Sequence, residues 1–237
     1  MTFRALVRLG LMALWFLVCA ACHLITRPFT PSPWPRRLLR GVGWIAGARV
    51  ATQGERPRGG TLIVANHVSW LDIPMLAGAT DCAFVAKDGL RSHPFMHWLC
   101  VQNGTVFVER DRRGSLHDQI AAMEAAIRSH KPLCLFPEGT VSDGTRLLPF
   151  RSSLLKLAED PPLPLKIQPV AIDYRGDAPE FGWPAGETGT ANFLRLLGRK
   201  GTVHVTLRFL SPLADGQDRK ALAAQSHRAI GAALGLA

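Results

Sequence analysis

The sequence lacks the short patterns that mark several large enzyme classes. It has no G-x-S-x-G nucleophile elbow, no Walker A phosphate loop and no H-E-x-x-H zinc pair. These absences argue against a hydrolase-type serine, a P-loop nucleotide site and a zincin metal site. Internal repeats and low-complexity tracts are also absent, so the 237 residues are expected to fold as one domain with an appendage.

Cysteine is scarce, and its spacing is irregular. The sequence contains five cysteines, of which Cys19 and Cys22 have the C-x-x-C spacing but lie inside a hydrophobic segment. Cys134 lies in another apolar run. An odd number without a zinc or redox pattern argues against a disulfide framework and favours buried thiols in a reducing compartment.

Acidic residues are almost missing from the first quarter of the chain. Residues 1–58 hold nine arginines and a single acid, Glu55, whereas residues 59–237 hold 19 basic and 17 acidic residues. A nucleic-acid-binding protein is expected to carry its basic patch on the folded domain. Here the basic excess flanks the most apolar segment, which favours an anionic membrane surface over nucleic acid, the alternative being a solubilising surface.

Residues 9–24 form the longest apolar run, between Arg8 and Arg27. As a helix this run would be about 24 Å long, less than the ~30 Å hydrocarbon core of a bilayer. It is compatible with a signal peptide, a short spanning helix or a helix that enters one leaflet. A lipoprotein signal is disfavoured, because Cys19 stands where that signal needs leucine.

A second membrane-active segment follows several prolines. Residues 36–46 mix arginine with aliphatic residues and Trp44, which is typical of an amphipathic helix at a membrane interface. We therefore predict an uncleaved membrane anchor of two helices with a linker over residues 1–58, and a folded domain over residues 59–237. The basic flanks predict a bacterial-type inner membrane with the folded domain on its cytoplasmic side.

Strand-like and helix-like segments alternate along the folded domain. Apolar and β-branched runs predict strands at residues 61–65, 82–86, 104–108, 132–136, 167–172 and 202–210. Helical patterns predict helices at residues 70–78, 90–100, 115–130, 150–158 and 220–234. This alternation predicts an α/β layered core with a mostly parallel sheet flanked by helices.

The segment from Asn66 to Asp72 lies between the first predicted strand and the first predicted helix of the domain. A histidine can act as a base near neutral pH, and a nearby carboxylate can fix its tautomer. On one ideal helix His67 and Asp72 would lie about 140° apart, so they meet only if His67 lies in the turn and Asp72 in the first helical turn. The structural alternative is that Ser69 caps the helix and Asp72 completes the capping pair.

Three further stretches end or interrupt predicted strands. Arg110 suits bidentate phosphate binding, although it can equally pair with a neighbouring acid. Glu138 and Gly139, in the Phe-Pro-Glu-Gly-Thr sequence at 136–140, either contact a ligand or form an ordinary turn. Pro169 interrupts an apolar strand, which predicts an edge or a bulge of the sheet and a place in a pocket wall.

Taken in order, these stretches resemble the four motifs of the glycerolipid acyltransferases, and specifically of the 1-acyl-glycerol-3-phosphate acyltransferases. The Asn-His-x-x-x-x-Asp motif is met by residues 66–72 and the Gly-x-x-Phe-x-x-Arg motif by residues 104–110. The Phe-Pro-Glu-Gly-Thr motif is met by residues 136–140, and the fourth motif centres on Pro169. The resemblance covers roughly residues 59–175. Arg151 stands where many members have lysine, and Ser142 where many have arginine, which puts the acceptor lipid in doubt.

The resemblance implies that His67 is the general base for an acceptor hydroxyl and that Asp72 orients it. The hydroxyl then attacks the acyl thioester directly, so neither a metal nor a cofactor is implied. The implied partners are membrane lipids, a lysophospholipid acceptor, and an acyl carrier protein or coenzyme A thioester as donor. The simplest acceptor is 1-acyl-glycerol-3-phosphate, which would give phosphatidic acid. The implied substrate-binding residues are Phe107, Arg110, Glu138, Gly139, Thr140 and Pro169.

Other functions remain compatible with the sequence. The same chemistry can use another acceptor, such as a lyso-ornithine lipid or lysophosphatidylglycerol. A thioesterase would replace the acceptor alcohol by water. A membrane lipid-binding protein without activity could keep the same fold.

Overall fold

The computed structural model describes residues 1–87, 94–108, 125–126, 128, 131–159 and 164–236. The strands are β1 (Ala48–Gln53), β2 (Thr61–Ala65), β3 (Ala83–Lys87), β4 (Val106–Val108), β5 (Leu133–Leu135), β6 (Lys166–Asp173) and β7 (Val203–Phe209). The helices are α1 (Phe3–Thr26), α2 (Trp34–Ile45), α3 (Asp72–Thr80), α4 (Pro94–Asn103), α5 (Lys156–Glu159), α6 (Ala178–Phe181), α7 (Gly189–Gly198) and α8 (Arg219–Leu234). Most of the helix predicted at 115–130, and the start of the one predicted at 90–100, lie outside the described residues.

The described strands form one seven-stranded sheet in the order β1-β7-β6-β2-β5-β3-β4. Every neighbouring pair is parallel except β6 and β7, which are antiparallel. The predicted α/β fold with a mostly parallel sheet is therefore confirmed. The carboxyl ends of the parallel strands β2, β5 and β6 lie on the same side of the sheet, and α/β folds bind their ligands beyond the carboxyl ends of their strands.

Strand β2 lies at the centre of the sheet, and all five of its residues are buried. Ile63 and Ala65 belong to the core on one face of the sheet, and Leu62 and Val64 to the core on the other face. A continuous apolar run is what a parallel strand covered on both faces requires. Residues 66 and 67, which follow β2 directly, are therefore attached to the buried central strand of the sheet.

The two predicted N-terminal helices are present, and they pack on the sheet domain. α1 has 24 residues and is long and apolar enough to cross a membrane, by length and composition. α1 crosses α2 closely at Gly41, where a Cβ atom would clash with the Trp15 indole, so a larger residue would require this side chain to move. α2 also packs against α3, whose first residue is Asp72.

The predicted division between residues 58 and 59 does not mark the start of the sheet. β1 pairs with β7 over its whole length, from Ala48 to Gln53, and therefore belongs to the folded domain. Sequence patterns missed β1 because it is an edge strand whose central residues, Val50 and Ala51, are exposed, and because Arg49 and Gln53 are polar. The short helix α6 and the helix α7 were also not predicted.

The prediction that Pro169 lies at a sheet edge or bulge is wrong. Pro169 is buried in β6, an interior strand, and pairs with Val64 of β2. The β7 ladder starts only at Val170, and the carbonyl of Pro169 accepts the Leu210 amide at 3.0 Å. The Gln168 side chain donates to the Leu210 carbonyl at 3.0 Å, so the absent proline N–H leaves this acceptor satisfied.

Candidate active site

His67 lies in the turn after β2, and its ring is bonded to Asp72. The distance from His67 Nδ1 to Asp72 Oδ2 is 2.9 Å, and the imidazole is 14% exposed. An ionised carboxylate only accepts hydrogen bonds, so in neutral His67 the proton sits on Nδ1. Nε2 is then left with its lone pair, which is the arrangement a general base needs.

Asp72 is fully buried and is the first residue of α3. Its Oδ2 accepts the Val68 amide at 2.7 Å and the Ser69 amide at 2.9 Å, besides the His67 ring. Its Oδ1 accepts the Tyr174 hydroxyl at 2.6 Å. Four donors around one carboxylate stabilise its charge without water, and the charge also lies at a helix N-terminus.

The hydrogen bonds of the capping interpretation are present, because the Ser69 hydroxyl accepts the Leu71 amide at 3.4 Å and Asp72 accepts the Ser69 amide at 2.9 Å; only the start of the helix differs. α3 begins at Asp72 itself, and its N-cap residue, Leu71, makes no side-chain capping bond. Ser69 lies in the preceding turn, where its carbonyl accepts the Asp72 amide at 3.0 Å. The Asp72 carboxylate turns back to the amides of residues 68 and 69, and this places it beside His67, as the first-turn condition required.

Asn66 fixes the turn to the neighbouring strand β6. Its side-chain nitrogen donates to the Ile172 carbonyl at 3.2 Å, and its side-chain oxygen accepts the Ile172 amide at 2.8 Å. The asparagine is buried, so both of its polar atoms are satisfied by main chain alone. These two hydrogen bonds hold the end of β6 against the end of β2.

Glu138 also binds main chain in this structure. Its Oε1 accepts the His67 amide at 2.6 Å and its Oε2 accepts the Leu148 amide at 3.0 Å, and the residue is 2% exposed. The pKa of Glu138 is raised to about 7, chiefly by burial and to a smaller extent by the charge of Asp72, against the lowering effect of the two amides. The carboxyl group thus joins the segment of His67 to the loop before Leu148 through both of its oxygens.

The imidazole of His67 is held by an aromatic stack. Its ring centroid lies 4.1 Å from that of Phe136, at an interplanar angle of 15°, and Phe136 in turn stacks on Phe84 at 6.0 Å. The chain then turns at Gly139, whose φ of +73° favours glycine. A stacked ring cannot rotate freely about its side-chain bonds, so the stack and Asp72 together define the direction of Nε2.

The remaining predicted residues lie at different distances from this pair. Thr140 is exposed in the bend after Gly139, and Phe107 of β4 packs beside His97 with ring centroids 5.2 Å apart. Pro169 is buried within the sheet, as described above. Arg110 lies outside the described residues. The structure therefore brings together His67, Asp72, Glu138 and Gly139 from the predicted set.

Sequence reasoning missed Tyr174, which bonds to Asp72 from the end of β6. Tyr174 comes directly after β6 and is the only tyrosine in the sequence. A lone aromatic hydroxyl at the carboxyl end of a buried strand was the available signal, because a buried tyrosine hydroxyl generally finds a hydrogen-bond partner. The signal named no partner, since Asp72 precedes Tyr174 by 102 positions.

Comparison with known proteins identifies the family of the chain. Residues 48–173 match the model of the family described as Acyltransferase, so the chain belongs to that family. The matched segment starts at β1 and ends at β6, and it includes His67, Asp72 and Glu138. The chain is therefore an acyltransferase, and its relatives place it among enzymes of lipid synthesis.

Relatives with two different acceptors are found. A lyso-ornithine lipid O-acyltransferase of Rhodobacter capsulatus is 33% identical over 98% of this chain and 90% of its own length. Another, from Pseudomonas aeruginosa, is 37% identical over 85% of this chain and 76% of its own length. A 1-acyl-sn-glycerol-3-phosphate acyltransferase of Neisseria gonorrhoeae is 29% identical over 77% of this chain and 74% of its own length.

The fold also matches a solved structure. The 1-acyl-sn-glycerophosphate acyltransferase of Thermotoga maritima superposes with a TM-score of 0.61 over 98% of both chains, at 21% sequence identity. This likeness extends through the N-terminal helices as well as the sheet, because it covers nearly the whole chain.

Proposed function

We propose that the protein transfers an acyl group from a thioester donor to the hydroxyl of a lyso-ornithine lipid. The observation that carries this acceptor is the similarity to lyso-ornithine lipid O-acyltransferases, at 33% identity over 98% of the chain in one case. The second candidate acceptor is 1-acyl-glycerol-3-phosphate, which the motifs predict and the relative from Neisseria supports. The donor is an acyl carrier protein or coenzyme A thioester in either case.

The proposed chemistry uses His67 as the general base. Nε2 takes the proton of the acceptor hydroxyl while the oxygen attacks the thioester carbonyl. The imidazolium then returns the proton to the departing thiolate, so an ester and a free thiol are formed. Asp72, bonded to Nδ1, stabilises the positive charge that appears on the ring between these two proton transfers.

A cavity of about 370 Å³ lies among the neighbours of His67 and Asp72, although neither of the two lines it, and we propose it as the headgroup site. Asn66, Val68 and Glu138 line one part of it, next to His67 in the sequence or bonded to it. Arg146 and Asp173 also line it. Arg146 suits the carboxylate that an ornithine headgroup carries, whereas Asp173 is already paired with Arg208, so the preference for this acceptor over one with a phosphate rests on the similarity to the relatives.

The way α1 is attached supports binding to one leaflet rather than a spanning helix. Near its start, Arg8 donates to the carbonyls of Leu197 at 3.0 Å and Arg199 at 3.1 Å. Near its end, the His23 ring is bonded to Gln102 of α4 at 2.9 Å. These two attachments lie about 22 Å apart along the helix. A spanning helix would leave the domain, whereas α1 is tied to it at both ends.

The outer side of α1 presents apolar side chains suited to the bilayer interior. The large hydrophobic residues exposed on α1 include Phe3, Leu6, Leu11, Leu14, Leu17, Leu24 and Ile25. Phe95 and Met96 of α4 are exposed beside it, with Phe95 in edge contact with Phe16 at 5.4 Å. We propose that this surface enters the cytoplasmic leaflet, where lysolipid and product both reside.

The acceptor is tested by lipid mass spectrometry with purified protein and both kinds of donor. We expect kcat/KM for lyso-ornithine lipid to exceed that for 1-acyl-glycerol-3-phosphate and lysophosphatidylglycerol at least about tenfold. Arg146→Gln should raise KM for the ornithine acceptor, whereas Lys220→Gln, at the far end of α8, should not. A preference for 1-acyl-glycerol-3-phosphate would establish the second candidate. Acyl release that needs no acceptor would instead point to a thioesterase.

The membrane assignment is tested by extraction. Apolar insertion resists salt, whereas purely electrostatic binding is screened at high ionic strength. We therefore expect the protein to stay with membranes in high salt and to leave them only in detergent. Release by salt alone would contradict insertion of α1.

A further inference from the structure

Tyr174 is fully enclosed, and its hydroxyl donates to the buried carboxylate of Asp72 at 2.6 Å. We propose that Tyr174 is a positioning residue of the reaction, whose hydroxyl orients the Asp72 carboxylate so that Oδ2 meets the His67 ring. The inference rests on the proposed roles of His67 and Asp72. It adds a third member to the pair from the opposite side of the carboxylate.

The two oxygens of Asp72 have unequal partners. Oδ2 accepts the His67 ring and two backbone amides, whereas within the described residues Oδ1 accepts only the Tyr174 hydroxyl. Asp72 has no exposed surface, so bulk water cannot replace that donor. Without the hydroxyl, Oδ1 is a buried charged acceptor with no partner, and rotation of the carboxylate toward the other donors becomes favourable.

Tyr174 is itself held in place by the end of β6 and by a ring stack. The bonds between Asn66 and Ile172 fix the end of β6 two residues before it. Its ring stacks on Phe181, with centroids 5.3 Å apart. The Arg199 guanidinium in turn lies over the Phe181 ring, 4.7 Å from its centroid. The hydroxyl therefore reaches Asp72 from a rigid support, as a positioning group must.

The hydroxyl also stays a donor while the histidine changes its charge. Burial, the charge of Asp72 and the bond to that carboxylate raise the pKa of Tyr174 well above its ordinary value, against a smaller opposing effect from Ser69. A histidine ordinarily titrates near neutral pH, far below the pKa of a tyrosine. Tyr174 thus donates to Asp72 equally when the His67 ring is neutral and when it is protonated.

The expected kinetic effect is on turnover. Tyr174→Phe removes one oxygen and keeps the ring, so the stack on Phe181 should persist. We expect kcat to fall about tenfold, on the scale of a lost hydrogen bond to a charged group, with KM for both substrates within about twofold of the parent. Thr80→Val is the matched control, because it removes a hydroxyl bonded to the Leu76 carbonyl at the other end of α3.

A double-mutant cycle separates positioning from a general loss of stability. If the hydroxyl acts through the Asp72 charge, Tyr174→Phe should lower kcat about tenfold in the parent but less than about twofold in an Asp72→Asn background. An equal loss in both backgrounds, or no loss in the parent, would overturn the inference. Full activity of Asp72→Asn alone would instead overturn the proposed roles of His67 and Asp72, so the two failures are distinguishable.

A second measurement needs no change at Tyr174. Because this is the only tyrosine, ¹³C-tyrosine labelling gives a single ring signal that reports the hydrogen bond of its hydroxyl. Asp72→Asn should shift that signal, whereas Asp218→Asn, at the N-cap of α8, should leave it unchanged. An unshifted signal in Asp72→Asn would show that the Tyr174 hydroxyl does not bond to the Asp72 carboxylate, and would overturn the inference.

Discussion

Replacing Asp72 by asparagine removes a charge while preserving most of the hydrogen bonds around it. The amide oxygen can take the place of Oδ2 and accept the His67 ring and the amides of Val68 and Ser69. The amide nitrogen then faces the Tyr174 oxygen, which can accept a bond from it. Alanine would instead leave these donors without an acceptor, at about 1–3 kcal/mol for each buried group, which is a large part of a typical stability of about 5–15 kcal/mol.

The size of the expected effect follows from the distance between the two charges. When His67 becomes an imidazolium, its centre of charge lies roughly 4 Å from that of the carboxylate, given the 2.9 Å contact between Nδ1 and Oδ2. At an effective dielectric constant of about 20, this attraction is worth about 4 kcal/mol. Its loss in the transition state corresponds to a fall in kcat of about a thousandfold.

The assay follows the release of free thiol from the acyl thioester in the presence of saturating acceptor lipid. KM should change little, because Asp72 acts on the base rather than on the bound lipid. Asp218→Asn is a matched control, since Asp218 also accepts two backbone amides, those of Lys220 and Ala221, but at the exposed N-cap of α8. That variant should retain the turnover of the parent.

Turnover of Asp72→Asn within tenfold of the parent would refute the reasoning. A folded protein with near-normal turnover would mean that the reaction does not pass through an imidazolium paired with this carboxylate. Thermal unfolding in detergent checks the other assumption, that asparagine keeps the hydrogen bonds. A large loss of stability would show that the amide cannot satisfy the four donors.

Two further substitutions test the support of His67. Glu138→Gln removes a group whose pKa is raised to about 7 in the folded protein. Between about pH 4.5 and 7 the folded wild-type protein keeps a proton that the unfolded chain has lost. Wild-type stability therefore falls as the pH rises through that interval. Relative to wild type, the variant should therefore gain up to about 3 kcal/mol across that interval in urea unfolding, and parallel pH curves would contradict this. Phe136→Leu removes the ring stacked on His67 and should lower kcat about threefold to tenfold at unchanged KM, whereas Phe150→Leu, a ring packed beside His227, should not.

The order of strands and helices was predictable where each element carries its own pattern. β2 is buried on both faces, so its four apolar residues and the β-branched Thr61 predict a strand. β1 was not predictable, because an edge strand needs apolar residues on one side only and β1 interleaves them with Arg49, Thr52 and Gln53. Its place in the sheet depends on β7, about 150 residues later in the chain, which local periodicity does not encode.

The site was predictable in its local part. His67 and Asp72 are five residues apart, so the geometry of one turn decides whether they meet. The contacts of Glu138 and Tyr174 join distant segments, and only the register of β5 and β6 against β2 brings them there. The prediction for Pro169 failed because the effect of this proline on the ladder is offset by its neighbour Gln168. The offset is a side-chain hydrogen bond of Gln168 that sequence rules do not include.

The two buried carboxyl groups near His67 cannot be treated as independent. Asp72 has four donors and Glu138 has two, so the negative charge is better stabilised on Asp72. The charge on Asp72 in turn raises the pKa of Glu138, after the larger effect of burial. Asp72→Asn should therefore lower the pKa of Glu138 while burial keeps it above its ordinary value. The effect of Glu138→Gln on the pH dependence of stability should consequently be smaller in the Asp72→Asn background than in the wild type, but not zero. An effect of the same size in both backgrounds would show that the two carboxyl groups do not interact.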